Sequence, residues 1–287
     1  MFNFQIRNTV SLASLLNPLN ASTCTKNALR ILILVTFAIG LTAADEDASL
    51  KRAQKEDSTL LKPMDTEGIP SRLKNILNGY YNNSLGGQEN WSRIQSLSIK
   101  GEIISNDGKS FEFANYRKKP NFNKFIIFLS NKYKLVSSYN GKEAWMQLEH
   151  DSIDPVQKEF ENLEEFIRDS RFRSPLLYPS EKNKTIEIIG NSEIDGVLCV
   201  QIEVIQSDGY CYHVFLDSKR YQRAEHITDK SGKKVRSTIQ SDFRNISGLI
   251  VPFEIRNYID GKLAEKIILK SAEINKGLVP WFFEQSK

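Results

Sequence analysis

Apolar residues in the segment 71–83 recur at helical spacing. Leu73, Ile76, Leu77, Tyr80 and Tyr81 fall at i, i+3, i+4, i+7 and i+8 and so share one face. Pro70-Ser71 opens this element and Gly86-Gly87 closes it, with Trp91 on a short turn beyond. From Ile94 onward the period drops to two. Leu97, Ile99 and Ile103 alternate with Ser96, Ser98, Lys100 and Glu102, and Phe111 and Phe113 begin a return strand after Asp107-Gly108. The same turn signal recurs at Asn140-Gly141, Asp195-Gly196, Asp208-Gly209, Ser231-Gly232 and Asp260-Gly261. Between these turns lie strands whose apolar positions alternate. Leu198, Val200, Ile202 and Val204 form one set; Val235, Ile239 and Phe243 another; Val251, Phe253 and Ile255 a third. About a dozen strands are expected on this pattern.

One further helix is expected over 155–169. Asp154-Pro155 reads as an N-cap followed by proline at the first helical position. Val156, Phe160, Leu163, Phe166 and Ile167 make its apolar stripe, and Glu159, Glu161, Glu164 and Glu165 its solvated side. Ser174–Ser180, with Pro175 and Pro179, reads as a loop. A long run of antiparallel hairpins forms a meander, and so many twisted strands tend to curl or close. The fold class expected is mainly β (α+β): an incomplete antiparallel barrel with two amphipathic helices over its concave face.

The N-terminal stretch has a different texture. Ile31–Leu41 is an apolar run of 11 residues, preceded by Lys26 and Arg30 and followed by Thr42-Ala43-Ala44 and an acidic cluster. That is the pattern of a cleavable signal peptide over 1–44, cut after Ala44, so an exported protein is expected. The alternative, an uncleaved anchor, would have only 14 residues between Arg30 and Asp45, short for a bilayer span. Residues 45–66 are charged and aperiodic and read as a tether or frayed helix, leaving 67–287 as the folded domain.

The formal charge is +4, with 39 basic and 35 acidic residues. Residues 1–44 hold three of the basic residues and no acid, which leaves 36 against 35. A near-neutral body gives no reason to expect nucleic-acid binding. Cys199 and Cys211 flank the Asp208-Gly209 turn. A two-residue turn sets Ile205 opposite Tyr212 and Val204 opposite His213, which puts the two thiols rungs apart and on opposite faces, unpaired. No GxSxG elbow, P-loop, GxGxxG, HExxH or CxxC pair appears. Cys211 and His213 share a strand face, and His226 on the next strand completes a three-donor sketch; a structural role is the better expectation for these side chains, and no metal or other cofactor is expected. No catalytic constellation is visible, and the chain reads as non-enzymatic.

A set of ordered matches adds to this. Tyr80-Tyr81, Gly86-Gly87, Trp91, Ile94, Ser96-Leu97 and Gly101 open it; Lys118-Lys119-Pro120-Asn121, Asn140-Gly141-Lys142 with Trp145, and Ile194-Asp195-Gly196 follow; Gly248-Leu249-Ile250-Val251-Pro252 and Asn275 with Phe282-Phe283 close it. Together they resemble the bacterial outer-membrane lipoprotein-sorting-like proteins, the LolA/LolB-like superfamily, across roughly residues 70–285. The resemblance implies a half-open barrel with a helical lid and an apolar cavity for lipid or lipoprotein acyl chains. It also implies a periplasmic location. A monomer with transient protein partners at the inner or outer membrane is expected. The resemblance carries over no individual site residue.

On that reading the cavity-lining candidates are Trp91, Leu97, Ile99, Phe125, Ile127, Trp145, Ile202, Val204, Ile239, Phe253 and Ile255. The lid-face candidates are Leu73, Ile76, Leu77, Phe160, Leu163 and Ile167. Arg117, Lys118 and Lys119 read as a solvated loop or, less readily, as rim contacts for an anionic headgroup. Two rival readings stand beside the carrier: a non-catalytic interaction protein with a filled barrel, and an envelope lipid hydrolase built on His150, His213 or His226.

Overall fold

A computed structural model describes residues 62–285. The signal-peptide and anchor readings, and all but the last five residues of the tether, lie outside them. Those five residues are ordered against a loop: the Tyr178 amide donates to the Pro63 carbonyl, and Thr66 is buried.

Helix α1 (Ser71–Leu85) and the short helix α2 (Gly87–Arg93) precede six strands: β1 (Ser96–Ser105), β2 (Ser110–Lys118), β3 (Phe122–Phe128), β4 (Tyr133–Tyr139), β5 (Ala144–His150) and β6 (Ile153–Lys158). Helix α3 (Leu163–Asp169) follows. Then come β7 (Thr185–Ile194), β8 (Val197–Ile205), β9 (Cys211–Leu216), β10 (Gln222–Thr228), β11 (Lys234–Ile246), β12 (Leu249–Ile259) and β13 (Lys262–Ile274), and a last 3₁₀ turn at Pro280–Phe283. All thirteen strands make one open antiparallel sheet in the order β6-β5-β4-β3-β2-β1-β13-β12-β11-β10-β9-β8-β7. It is an incomplete barrel, and each Gly-containing turn read from the sequence joins two consecutive strands.

The topology is two meanders, not one. The first and last strands pair at the centre, Leu97 opposite Ile274 and Ile103 opposite Ile267, so β6 and β7 become opposite edges. The segment 159–184 must therefore cross the sheet from one edge to the other, and it carries α3 with it. At the central seam, β1 shifts register between Lys100 and Gly101, and a Cβ at Gly101 would meet the Ile268 carbonyl at 2.2 Å. Only glycine fits there.

The expected helix 155–169 is corrected. Its first four residues belong to strand β6, with Val156 opposite Leu148, and only Leu163–Asp169 is helical. Pro155 sits on this edge strand, where its missing N–H removes no ladder bond from a neighbour. Strand pairing thus outweighed the local Asp-Pro signal. The β8–β9 register is also one residue off the expectation. Gln206 donates to the Tyr210 carbonyl across a three-residue turn, so Ile205 faces Cys211 and Glu203 faces His213. Cys199 and Cys211 consequently share a face, but six residues of strand separate their positions, about 20 Å, and both thiols are free. Among the described residues no helix is long and apolar enough to cross a membrane.

Candidate functional site

Strand registers define the two faces of the sheet. One contiguous face runs through Ile202 and Val204 on β8, Tyr212 and Val214 on β9, and Ile255 and Phe253 on β12. It continues through Ile267 on β13, Leu97 and Ile99 on β1, Phe113 on β2, and Phe125 and Ile127 on β3. These side chains are all buried. Leu73, Ile76, Leu77, Tyr80, Tyr81 and Leu85 form the buried face of α1. Trp91 lies on α2 against Phe172, with ring centroids 6.0 Å apart, and the Lys119 ammonium stands 4.2 Å from its ring. Burial lowers the pKa of that ammonium to about 8.

Two candidates fall on the other face. Trp145 shares the outer row of Ser138 and Lys124, and its indole N–H donates to the Phe283 carbonyl at 3.0 Å. There it grips the C-terminal turn, which Ser138 also holds at 2.9 Å. Ile239 packs on the outer cluster of Cys199, Phe215 and Ala224. The alternation of β11 was read with the right period and the wrong side: Arg236, Thr238 and Gln240 point inward. The lid candidates from 160–167 also move. Phe160 precedes the helix and packs on Phe166 at 4.8 Å, Ile167 is half-buried, and Leu163 is 45% exposed.

Helix α3 is instead held by charge. Its buried residues are Glu165 and Arg168. Arg236, rising from β11, donates from Nη1 to Glu165 Oε1 at 2.8 Å and to Asp169 Oδ2 at 3.1 Å, with Glu225 of β10 at 3.9 Å from its Nη2. Arg168 stands 3.8 Å from Glu165 and 3.9 Å from Asp169. Arg117 of β2 donates to the backbone carbonyls of Asp169 at 2.6 Å and Arg171 at 2.7 Å. Three guanidinium groups thus meet three carboxylates beneath the crossover. Burial pulls the Arg117 pKa down to about 10, against the pull of Asp169, so it stays charged at neutral pH. Burial also opposes the charge on Arg168, but Asp169, Tyr212 and Glu165 outweigh it and raise that pKa. Burial raises Tyr212 and Tyr80 as well, which keeps both phenols neutral.

The sequence reading missed this latch. It assigned Glu165 to a solvated side and Arg117 to a loop, yet both are 2% exposed. The available signal was parity: Arg117 continues the inward series Phe111, Phe113 and Asn115.

Space on the inner face is uneven. Under the latch, the pocket bounded by Arg117, Arg168, Asp169, Gln206 and Tyr212 holds only about 30 Å³, room for about one water. A larger cleft of about 620 Å³ lies between α1, the β7–β8 hairpin and the turn that follows β9. Ile76, Val197, Leu198, Val200 and Leu216 give it an apolar wall, Cys199 reaches it from the outer row, and six polar residues, Arg72, Asn75, Asp217 and Arg220 among them, line the rest. Leu198 is 69% exposed there.

The three histidines lie apart from both spaces. His150 accepts from the Ser152 amide beside Tyr133, His213 faces Glu203, and His226 packs on Phe215.

No known family profile matches the chain, and no curated protein does. Solved structures do. A DUF1329 family protein from Desulfovibrio piger superposes with a TM-score of 0.50 at 15% identity, over 74% of this chain and 97% of that one. A putative outer membrane lipoprotein-sorting protein domain from Vibrio parahaemolyticus gives 0.50 at 11% identity, over 73% and 95%. A LolA superfamily protein from Nitrosomonas europaea gives 0.40 at 10%, over 74% and 97%. The shared architecture is the LolA-like fold.

Proposed function

We propose that this chain is an exported, non-catalytic carrier of lipid or lipoprotein acyl chains in the cell envelope, working in outer-membrane lipoprotein sorting or a related process. The observation that carries the reading is the 620 Å³ cleft between α1 and the β7–β8 hairpin. Its size is that of a small-molecule site, it borders the apolar inner face, and an exposed leucine stands on it. A lipoprotein-sorting domain with the same fold supports the assignment.

The energetics fit a carrier without chemistry. Burying an acyl chain from water gains about 0.8 kcal/mol per methylene, on the order of 12 kcal/mol for sixteen carbons. Leaving a bilayer gains nothing, because the chain already sits in hydrocarbon. A carrier must therefore match the membrane with a dry surface and a cover that yields. Alternating strands supply the dry face, and α3, held by ion pairs instead of apolar packing, is the part that yields. Opening it would extend the cleft into the barrel, over Ile202, Val204, Phe253, Ile255 and their neighbours.

One observation favours a second reading, an envelope interaction protein that holds a protein partner. The strand side chains of the inner face are buried by the chain itself, with little room under the latch. Native mass spectrometry separates the two. The purified protein, as isolated and after incubation with phospholipid vesicles, should carry lipid in the carrier reading. Ligand-free protein in both samples would overturn that reading and leave the partner-binding one.

A further inference from the structure

We propose that Glu203, Cys211 and His213 form a binding site for a divalent metal ion of the zinc class on the outer face of the β8–β9 hairpin. The site arises from register. Glu203 lies directly opposite His213 in the ladder, and Cys211 is two residues before His213, so all three side chains leave the same face. His213 Nε2 and Glu203 Oε2 are 3.0 Å apart, and the Cys211 sulfur lies within 4.8 Å of both donors. Zinc–ligand bonds of 2.0–2.3 Å place tetrahedral donors about 3.3–3.7 Å from one another. The three groups therefore need only small side-chain rotations to close on one ion, and hydrogen-bonded strands hold their backbone still. The third donor is Glu203 from β8; His226, the sequence candidate, is outside this group with its ring against Phe215.

The donor set selects the ion. Sulfur with imidazole and one carboxylate suits zinc or cobalt and is poor for calcium or magnesium, which take oxygen. A half-exposed ion pair between Glu203 and His213 is worth little by itself, and it needs no sulfur beside it. Side-chain exposures of 32% for Glu203 and 29% for His213 leave an entry path. Three protein donors leave one coordination position for water. Binding forms the metal–sulfur bond and releases the thiol proton of Cys211 to solvent, while His213 ligates in its neutral form. Glu203, Cys211 and His213 are all outside the lining of the 620 Å³ cleft, so neither reading depends on the other.

Cobalt titration of the untagged protein, kept reduced with a phosphine, tests this. One equivalent of Co²⁺ should produce a thiolate-to-cobalt charge-transfer band that one equivalent of Zn²⁺ abolishes. Cys211→Ser should remove the band and Cys199→Ser keep it. Glu203→Gln and His213→Ala should each weaken binding more than about tenfold, since outer-shell partners alone are worth ~10–100-fold. Circular dichroism of each metal-free variant should match the parent. Absence of the band, its survival in Cys211→Ser, or unchanged affinity in Glu203→Gln and His213→Ala would overturn the assignment.

Discussion

Helices α1 and α3 both stand over the inner face of the sheet, and they are held by opposite means. Helix α1 buries Leu73, Ile76, Leu77, Tyr80, Tyr81 and Leu85, each worth about 1.5–3 kcal/mol on leaving water. Nothing in solution replaces that contact at equal free energy. Helix α3 has seven residues and buries Glu165 and Arg168. Its ion pairs offset a desolvation penalty of similar size, so water and counterions recover most of the loss when it lifts. A short helix is also marginal without its tertiary contacts. The contrast divides one surface into a fixed wall and a releasable cover, and substitutions on each side sharpen or break that division.

The largest effect is expected at Arg236. Arg236→Ala removes both short ion pairs to α3 and the guanidinium beside Glu225, leaving Glu165 and Asp169 the longer contacts to Arg168, a loss of about 3–5 kcal/mol. If α3 is a separate cover, the loss appears as faster hydrogen exchange in 163–177 with α1 unchanged. Equal acceleration in α1 would merge the two helices into one unit and remove the releasable lid. The matching substitution in the wall is Leu77→Ala, expected at about 2–5 kcal/mol. Here the urea midpoint of the whole domain should fall, and exchange should rise across α1 and the inner strands together. A purely local response at Leu77 would break the comparison from the other side.

A pH experiment probes the anchor downstream of α3. Burial, with Arg173 and Arg171 nearby and Glu181 opposing, pulls the pKa of Lys184 down to about 7. Its ammonium donates to the Leu177 carbonyl. The unfolded lysine binds its proton up to its ordinary range, so between about pH 7 and 10 the unfolded state holds more protons. Stability therefore rises with pH through that window, and the full penalty is present below it. Lys119, lowered by burial to about 8, acts with the same sign. Lys184→Met should flatten much of the rise in melting temperature from pH 7 to 10. At pH 6 it should stabilise by on the order of 1–3 kcal/mol, within the 1.36 kcal/mol per pKa unit that such a shift implies. An unchanged slope would show that Lys184 is hydrated in solution.

Periodicity and turn chemistry made much of this molecule legible in its sequence. The Gly-containing turns, the alternating strands and the apolar face of α1 are local features, each decided by neighbouring residues. The residues carrying the family resemblance proved to be structural as well. Gly101 admits the central register shift, and Asn275 accepts from the Gln95 and Ser96 amides while donating to the Arg93 carbonyl. Trp145 and Phe283 close the outer face. What stayed hidden depends on contacts between distant segments. Glu165 and Arg236 lie 71 positions apart, and each alone looks like a surface charge. The pairing of β1 with β13, which forces the crossover over the inner face, likewise has no local mark. A single turn residue displaced the β8–β9 register, and with it the partner of His213.

The smallest substitution examines how the cover is primed to re-form. Asn162 is the N-cap of α3: its side-chain oxygen accepts from the Glu165 amide at 3.1 Å. Its side-chain nitrogen donates to Glu165 Oε2 at 3.1 Å. One residue thus starts the helix and aims the carboxylate that Arg236 holds. Asn162→Ala removes both contacts at about 1 kcal/mol, the usual worth of a cap, and exchange in 163–169 should quicken by roughly fivefold, the rate equivalent of that free energy. Asn162→Asp restores the cap to the amide but sets a second carboxylate against Glu165. It should therefore fall short of the parent, and protonation of that carboxylate at lower pH should narrow the gap. If Asn162→Asp instead equals the parent at neutral pH, Glu165 takes its orientation from Arg236 alone, and the cap is a feature of the helix and not of the latch.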